Sequence, residues 1–312
     1  MIKDFTTYIS EGLFDRNQSE FGIRKTNKGI EHVYIPNTKD DLRRYIELDI
    51  EQAKKDGTYP NVNLNNIDVS EFGKYDLEYL FCDNNYRQIN PDISNWNIEY
   101  IPSKFFDGNK QMKEFTIPNS VTGIGKEAFR DCYGLTSVTI PNSVTTIKAF
   151  AFSHCGSLKS VMIPNSVTDI DSNVFFICNN LTAINVETNN PNYCSVEGVL
   201  FNKDKTTLIQ YPVGKQGTYT IPDCVRIVGN GAFEWCSGLT SVTIPDSVTY
   251  IGCDTFAHCT SLTSVTIGNG VTNIRYNAFD RCNGLKSVTI SKHCRIENNS
   301  FPKNCKVIRV DD

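Results

Sequence analysis

Along most of this chain the apolar residues recur in one order. In block 135–157, LTSVTIPNSVTTIKAFAFSHCGS, the residues Leu135, Val138, Ile140, Val144, Ile147, Phe152 and Cys155 stand among polar and small ones. Block 158–180, LKSVMIPNSVTDIDSNVFFICNN, carries an apolar residue of the same kind at each of these places. Val138 and Ile140 alternate with Ser137 and Thr139, the period-two signature of a half-buried strand. Pro141 ends that strand, because proline has no N–H to give to a ladder. Val144 and Ile147 then lead to Phe152 and Cys155 through a winding too short for a full helix.

The same 23-residue unit begins at Met112, Leu135 and Leu158, and again at Gln216, Leu239 and Leu262, with a shortened copy from Leu285. Residues 181–215 form a longer unit between the two runs, one period plus twelve residues. One unit cannot bury its own apolar residues; stacked copies cover one another and share a continuous core. The expected fold is an α/β repeat solenoid, right-handed, with one parallel β-sheet along a concave side and an N-terminal helical cap.

Strings such as IPNSVTTIKAFAFSHC and IPDSVTYIGCDTFAHC resemble the BspA-type leucine-rich repeat over about residues 105–305. That resemblance implies a leucine-rich-repeat solenoid and non-catalytic, adhesin-like binding. The longer unit is similar to the hairpin insertion usual in that family. In physical terms, VLFNKDKTTLIQYP is two alternating apolar runs around Asn202-Lys203-Asp204-Lys205, a hairpin expected to stand on the solenoid and break its stack.

Ahead of Met112 the repeat fades. LNNIDVSEFGKYDLEYLF (64–81) and INPDISNWNIEYIPSKFF (89–106) read as two irregular first turns. Ile67 and Ile93 are the expected inward strand residues, and Phe81 and Phe106 extend the column of Phe129. DISNWN also resembles a second bacterial repeat family, related to leucine-rich repeats, whose units carry Asp-x-Ser-x-Trp. Residues 38–57 predict a helix, with Thr38 and Asp41 as a capping pair, Leu42, Ile46, Ile50 and Ala53 on one face, and Gly57 as the stop. The expected division is 1–60 leader and helical cap, 61–111 irregular first repeats, 112–305 repeats with the insertion at about 189–212, and 306–312 a closing strand. Val307, Ile308 and Val310 are its expected apolar members.

Residues 1–30 carry two readings. Ile9-Ser10-Glu11 resembles the end of a leader on proteins encoded by tailed phages of gut bacteria, with cleavage between Glu11 and Gly12, which implies a virion component or packaged cargo. The alternative is an ordinary strand or helix of the cap. No basic start with an apolar run opens the chain, and no stretch approaches the ~18–20 apolar residues of a membrane helix. The expected location is therefore cytoplasmic or virion-associated, with the cell surface reached only by a route that is not visible.

Charge narrows the partners. Lys and Arg number 31 against 35 Asp and Glu, which offers no cationic surface for a nucleic acid. The twelve cysteines do not read as a disulfide framework, because Cys132, Cys155 and Cys178, like Cys236, Cys259 and Cys282, recur at 23 residues. They occupy one slot in successive turns and are expected to be buried thiols. No zinc spacing, glycine-rich phosphate loop or nucleophile–base pair stands out, so neither cofactor, metal nor catalysis is expected.

What remains is surface. The outward strand positions make a flat ribbon of small hydroxyls, with Ser137, Thr139, Ser241, Thr243, Ser264 and Thr266 as candidates to contact a ligand. The less repetitive Tyr133, Trp235, Tyr250, Arg275 and Tyr276 are further interface candidates, since aromatics and Arg dominate hot spots. A protein or glycan is the expected partner.

Overall fold

A computed structural model describes residues 21–311 except 27–28, 35, 66, 68, 70–71, 73–76, 79 and 83–85, with side chains from Tyr34 onward. Glu11 and Gly12, the proposed leader junction, lie outside the described residues. The described residues begin with an antiparallel pair, Phe21–Thr26 against Gly29–Tyr34. Helix α1, Lys39–Asp56, follows.

Both ends of α1 are set by sequence. Asp41 N–H donates to Thr38 Oγ1 at 3.1 Å, and Thr38 N–H donates back to Asp41 Oδ2 at 3.0 Å. These bonds satisfy two donors that a helix start otherwise leaves open. Gly57, at φ 73°, takes the left-handed conformation that stops the helix. Leu42, Ile46, Ile50 and Ala53 are buried as their spacing predicts, and Tyr45 joins them.

Beyond α1 the chain winds as a parallel-strand solenoid, and successive turns bond to one another along three seams. The first seam is the expected ribbon. Its regular members include Glu114–Thr116, Ser137–Thr139, Ser160–Ile163, Ala183–Val186, Gly217–Thr220, Leu239–Ile244, Ser264–Ile267 and Ser287–Ser291. Register is kept across a turn, as in Val138 beside Phe115 and Thr266 beside Thr243. Lys306–Val310 pairs in parallel with Ser287–Ser291 on this ribbon, and Ile308 faces solvent, 38% exposed.

The second seam was not foreseen: where one sheet was expected, there are two parallel ladders. Two-residue strands at Tyr100–Ile101, Gly123–Ile124, Thr146–Ile147 and Asp169–Ile170 pair in parallel. Ile227–Val228, Tyr250–Ile251, Asn273–Ile274 and Arg295–Ile296 do the same further on. The two-residue pair, ending in Ile or in Val228, is too short to read as a strand alone and becomes one only through its neighbours. Threonine hydroxyls reinforce the stacking, as when Thr145 Oγ1 donates to Thr122 O at 3.1 Å and Thr272 Oγ1 to Thr249 O at 3.0 Å.

The third seam is the winding between the short strand and the cysteine. It contains two left-handed residues four apart, such as Glu127 (φ 58°) with Asp131 (φ 57°), and Asp254 (φ 52°) with His258 (φ 63°). This geometry turns amide groups along the stack. Phe129 N–H donates to Ala151 O at 2.7 Å, and His154 N–H donates to Phe176 O at 2.7 Å. L-residues are strained in this region, and a β-branched one most of all. Ile177 sits there at φ 54°. Ile177→Asn is expected to stabilise the protein by about 1 kcal/mol in urea denaturation, because Asn tolerates this conformation. A loss of stability would mean that packing of the Ile177 side chain outweighs the strain.

Inside, the phenylalanines form the expected column. Ring centroids are 5.1 Å apart for Phe81 and Phe106, 5.2 Å for Phe106 and Phe129, and 5.0 Å for Phe129 and Phe152. A second column runs from Tyr211 through Phe233, Phe256 and Phe279 to Phe301 at 4.7–5.0 Å. Each such pair contributes about 0.5–1.5 kcal/mol beyond area burial. Ile67 and Ile93 are buried as expected, but the strands that lead the first seam are Asn61–Asn63 and Asn90–Asp92, a few residues earlier.

All twelve cysteines are free thiols. Those in the repeated slot are fully buried, and each of five donates to the carbonyl of the phenylalanine in the preceding turn: Cys155 Sγ to Phe129 O at 3.2 Å, and Cys282 Sγ to Phe256 O at 3.0 Å, for example. Burial pushes Cys132, Cys155 and Cys259 well above the ordinary thiol range, so they carry no thiolate. A thiol reagent is expected to modify exposed Cys224 quickly and the repeated-slot cysteines only after unfolding, which peptide mass mapping would show.

The insertion does not stand on the solenoid. Tyr193–Val196, Val199–Asn202 and Thr207–Gln210 form an antiparallel sheet, and the last of these pairs in parallel with Ile227–Val228. Val199, Leu200 and Phe201 are all buried. Leu200 packs in the core of the preceding turns, while Val199 and Phe201 pack in the core of the following ones. The hairpin is a septum with both faces covered. Tyr193 Oη accepts the Ile170 N–H at 3.0 Å and Ser195 Oγ accepts the Val186 N–H at 3.0 Å, so side chains satisfy the strand edges that the insertion interrupts.

Candidate functional site

The sequence-predicted residues fall on the three seams rather than in one pocket. On the first seam, Ser241 lies beside Ser264 and Thr243 beside Thr266. Ser137 and Thr139 extend the same ribbon next to Glu114 and Thr116. Their inward neighbours Val138, Val242 and Ile244 are buried, which turns the hydroxyls outward. Met162, 50% exposed, and Asn185 interrupt the hydroxyl pattern midway.

On the second seam the structure brings Tyr250 and Arg275 together. The Arg275 guanidinium lies 5.8 Å from the Tyr250 ring centroid, and its Nε is 3.0 Å from Glu297 Oε2. Tyr276 beside it is 46% exposed, and Ile227, which the sequence did not single out, is 40% exposed one turn before Tyr250. This makes an aromatic and arginine patch of the kind that anchors interfaces.

On the third seam, Trp235 stacks on His258 with ring centroids 3.9 Å apart and planes 8° from parallel. Burial, then the nearby Arg281, keeps His258 below the ordinary histidine range, so its ring is neutral at pH 7. Tyr133, 48% exposed, donates its hydroxyl to Asp131 Oδ1 at 2.8 Å. It is distant in sequence and in seam from the Tyr250 patch.

Two features escaped sequence reasoning. The first is an ion-pair cluster on the third seam. Arg130 reaches Asp107 Oδ1 at 3.0 Å, Glu127 Oε2 at 2.8 Å and Asp131 Oδ2 at 3.2 Å. Asp107 and Glu127 are nearly closed off from solvent, so this cluster clamps adjacent turns rather than offering free charge. The second is an open cleft of about 600 Å³ on the first seam at its N-terminal end. Asn61, Asn63, Asn90, Asp92, Glu114 and Thr116 line it. The asparagines were visible in sequence, but only the strand pairing places them side by side.

The histidine–cysteine neighbours do not combine. His154 faces Asp131 across 3.8 Å while Cys155 points into the core, and His258 is engaged by Trp235. Among the described residues, no group of three or more His, Cys, Asp or Glu is placed to hold a metal ion.

The sequence profile of the BspA-type leucine-rich repeat region matches six copies, over residues 99–214 and 211–311. The chain belongs to the BspA-type leucine-rich repeat family. Solved structures agree on the fold. The pneumococcal vaccine antigen PcpA is 24% identical with a TM-score of 0.61, over 71% of this chain and 63% of that one. This BspA-type chain thus spans less than two thirds of PcpA. A leucine-rich cell surface protein from Faecalibacterium prausnitzii is 24% identical with a TM-score of 0.59, over 78% of this chain and 74% of that one. A leucine-rich repeat protein from Eubacterium ventriosum is 22% identical with a TM-score of 0.55, covering 94% and 83%. No curated protein sequence matches the chain. Among the described residues, no helix is long and apolar enough to cross a membrane.

Proposed function

We propose that this BspA-type protein is a non-catalytic, adhesin-like binding protein whose rigid repeat surface recognises a protein or a glycan. The observation that carries this reading is the first seam, where hydroxyls stand in register on a backbone fixed by bonds along all three sides of each turn. A surface of that kind is already ordered before a ligand arrives, so binding costs little conformational entropy. The antigen PcpA and the cell surface protein of Faecalibacterium prausnitzii share the fold, and those descriptions favour a role in contacts outside the cell.

The test is binding of the purified chain to immobilised extracellular host proteins and oligosaccharides. Thr243→Arg with Thr266→Arg should block the ribbon, and Tyr250→Ala with Tyr276→Ala should remove the neighbouring patch. At least one pair is expected to weaken binding about tenfold or more with an unchanged melting curve. Binding that survives both pairs would overturn the assignment to these seams. No binding to any of these probes would overturn the adhesin-like reading itself.

A further inference from the structure

The cleft at the N-terminal end of the first seam has a cause in the backbone. Asn90 N–H donates to Pro60 O at 2.7 Å, and Asp92 O accepts from Leu64 N–H at 2.9 Å. Residues 90 and 92 therefore direct their backbone groups toward the Asn61–Asn63 strand. Alternation along a strand turns those of residue 91 toward Glu114–Thr116. Residue 91 is proline, which has no N–H to donate. The Asn90–Asp92 and Glu114–Thr116 strands accordingly belong to separate sheets, and the cleft opens at this break.

Its rim has a definite chemistry. Register places Asn61 beside Asn90 and Asn63 beside Asp92. Asn90 Nδ2 donates to Asn61 Oδ1 at 2.9 Å, Asn63 Oδ1 accepts from Asn65 N–H at 2.9 Å, and Asp92 Oδ1 accepts from Ser94 N–H at 3.0 Å. These bonds engage one polar atom of each lining side chain and leave the other without a hydrogen bond among the described residues: Nδ2 donors on Asn61 and Asn63, acceptors Oδ1 on Asn90 and Oδ2 on Asp92. Donors thus alternate with acceptors from one strand to the next. Glu114 and the Thr116 hydroxyl continue the rim, and Pro91 and Phe115 contribute apolar surface to it.

Among the described residues no Lys, Arg or His lines the cleft, while Asp92 and Glu114 are carboxylates, so an anionic ligand is disfavoured. A primary amine could use only the acceptors and would leave the exposed Asn61 and Asn63 amide donors to water. A sugar hydroxyl donates and accepts at once, so adjacent hydroxyls meet the alternating rim on equal terms. We infer that this cleft binds a neutral, hydroxyl-rich glycan through Asn61, Asn63, Asn90 and Asp92. The inference rests on the binding reading above and adds to it a second site with its own ligand class.

The test uses the whole chain against a panel of immobilised neutral oligosaccharides, with spermidine and a lysine-rich peptide as amine probes. Neutral oligosaccharides are expected to bind and to protect amides around residues 61–63 and 90–94 from hydrogen exchange. Asn63→Ala and Asn90→Ala should each weaken that binding about tenfold, and Asp92→Asn, which keeps the shape but not the charge, about threefold or less. Lys303→Ala, at an exposed position outside every candidate surface, should change nothing. If an alanine variant melts early, Thr116→Val supplies the same comparison from the exposed rim. Amine probes that bind in preference and are lost with Asp92→Asn would overturn the glycan assignment. Glycan binding sensitive to Thr243→Arg but not to the cleft variants would overturn the site while sparing the broader reading. Host proteins bound with no glycan bound would also overturn the cleft proposal alone.

Discussion

Phe201→Ala is expected to cost about 3–5 kcal/mol, the range for removing a fully buried phenylalanine. Phe201 is 0% exposed and packs into the core of the turns that follow the insertion, whereas Leu200 beside it packs into the core of the turns that precede it. The strand Val199–Asn202 is thus shared by two cores, and truncating one face should loosen one side first. Hydrogen exchange should accelerate across residues 217–296 more than across residues 114–186. Leu200→Ala should show the opposite bias. Equal acceleration on both sides in both variants would show that the septum does not divide the protein energetically. A loss below about 1 kcal/mol would mean that the site collapses around the cavity.

The second large effect concerns Asp49 on α1. It lies on the side of the helix that carries Tyr45, Ile46, Ile50 and Ala53, and its Oδ2 is shut off from solvent with no hydrogen-bond partner among the described residues. Burial raises its carboxyl to about 7. An unfolded aspartate ionises near 3.9, so between roughly pH 4 and pH 7 the unfolded chain loses this proton and the folded one keeps it. Stability contributed by the site therefore falls as pH rises through that window and is flat above it. A shift of about three units corresponds to about 4 kcal/mol at most, and relaxation around the partly accessible residue brings this to about 2–4 kcal/mol. Asp49→Asn should leave stability unchanged near pH 4 and raise it by that amount at pH 8, read from urea denaturation at both values. Equal stability of the two proteins at pH 8 would mean that the carboxylate finds compensation when it ionises.

The family and the stacked architecture were legible because every repeat carries the same apolar set. Leu135, Val138, Ile140, Val144, Ile147 and Phe152 can be buried only against copies of themselves, and all six are buried. Likewise the capping residues of α1 and the cysteine slot act through short, local chemistry that a single sequence displays. The candidate surface was legible only in part. Outward Ser and Thr follow from alternation, but alternation does not say which seam holds Tyr133, Trp235 or Tyr250.

Several features depend on contacts between distant residues, and these were decided by tertiary structure. A two-residue pair such as Thr146–Ile147 is a strand only because Gly123–Ile124 and Asp169–Ile170 lie on either side of it. Leu200 and Phe201 alternate like any hairpin residues, and burial of both faces follows from turns packed above and below. The N-terminal cleft needs Asn61 beside Asn90 across 29 residues, and a proline placed where a neighbouring strand would have taken its bond. Periodicity in the sequence determined what repeats along the solenoid; the breaks in that period, where the distinctive surfaces lie, were decided by which strands could still complete their hydrogen bonds.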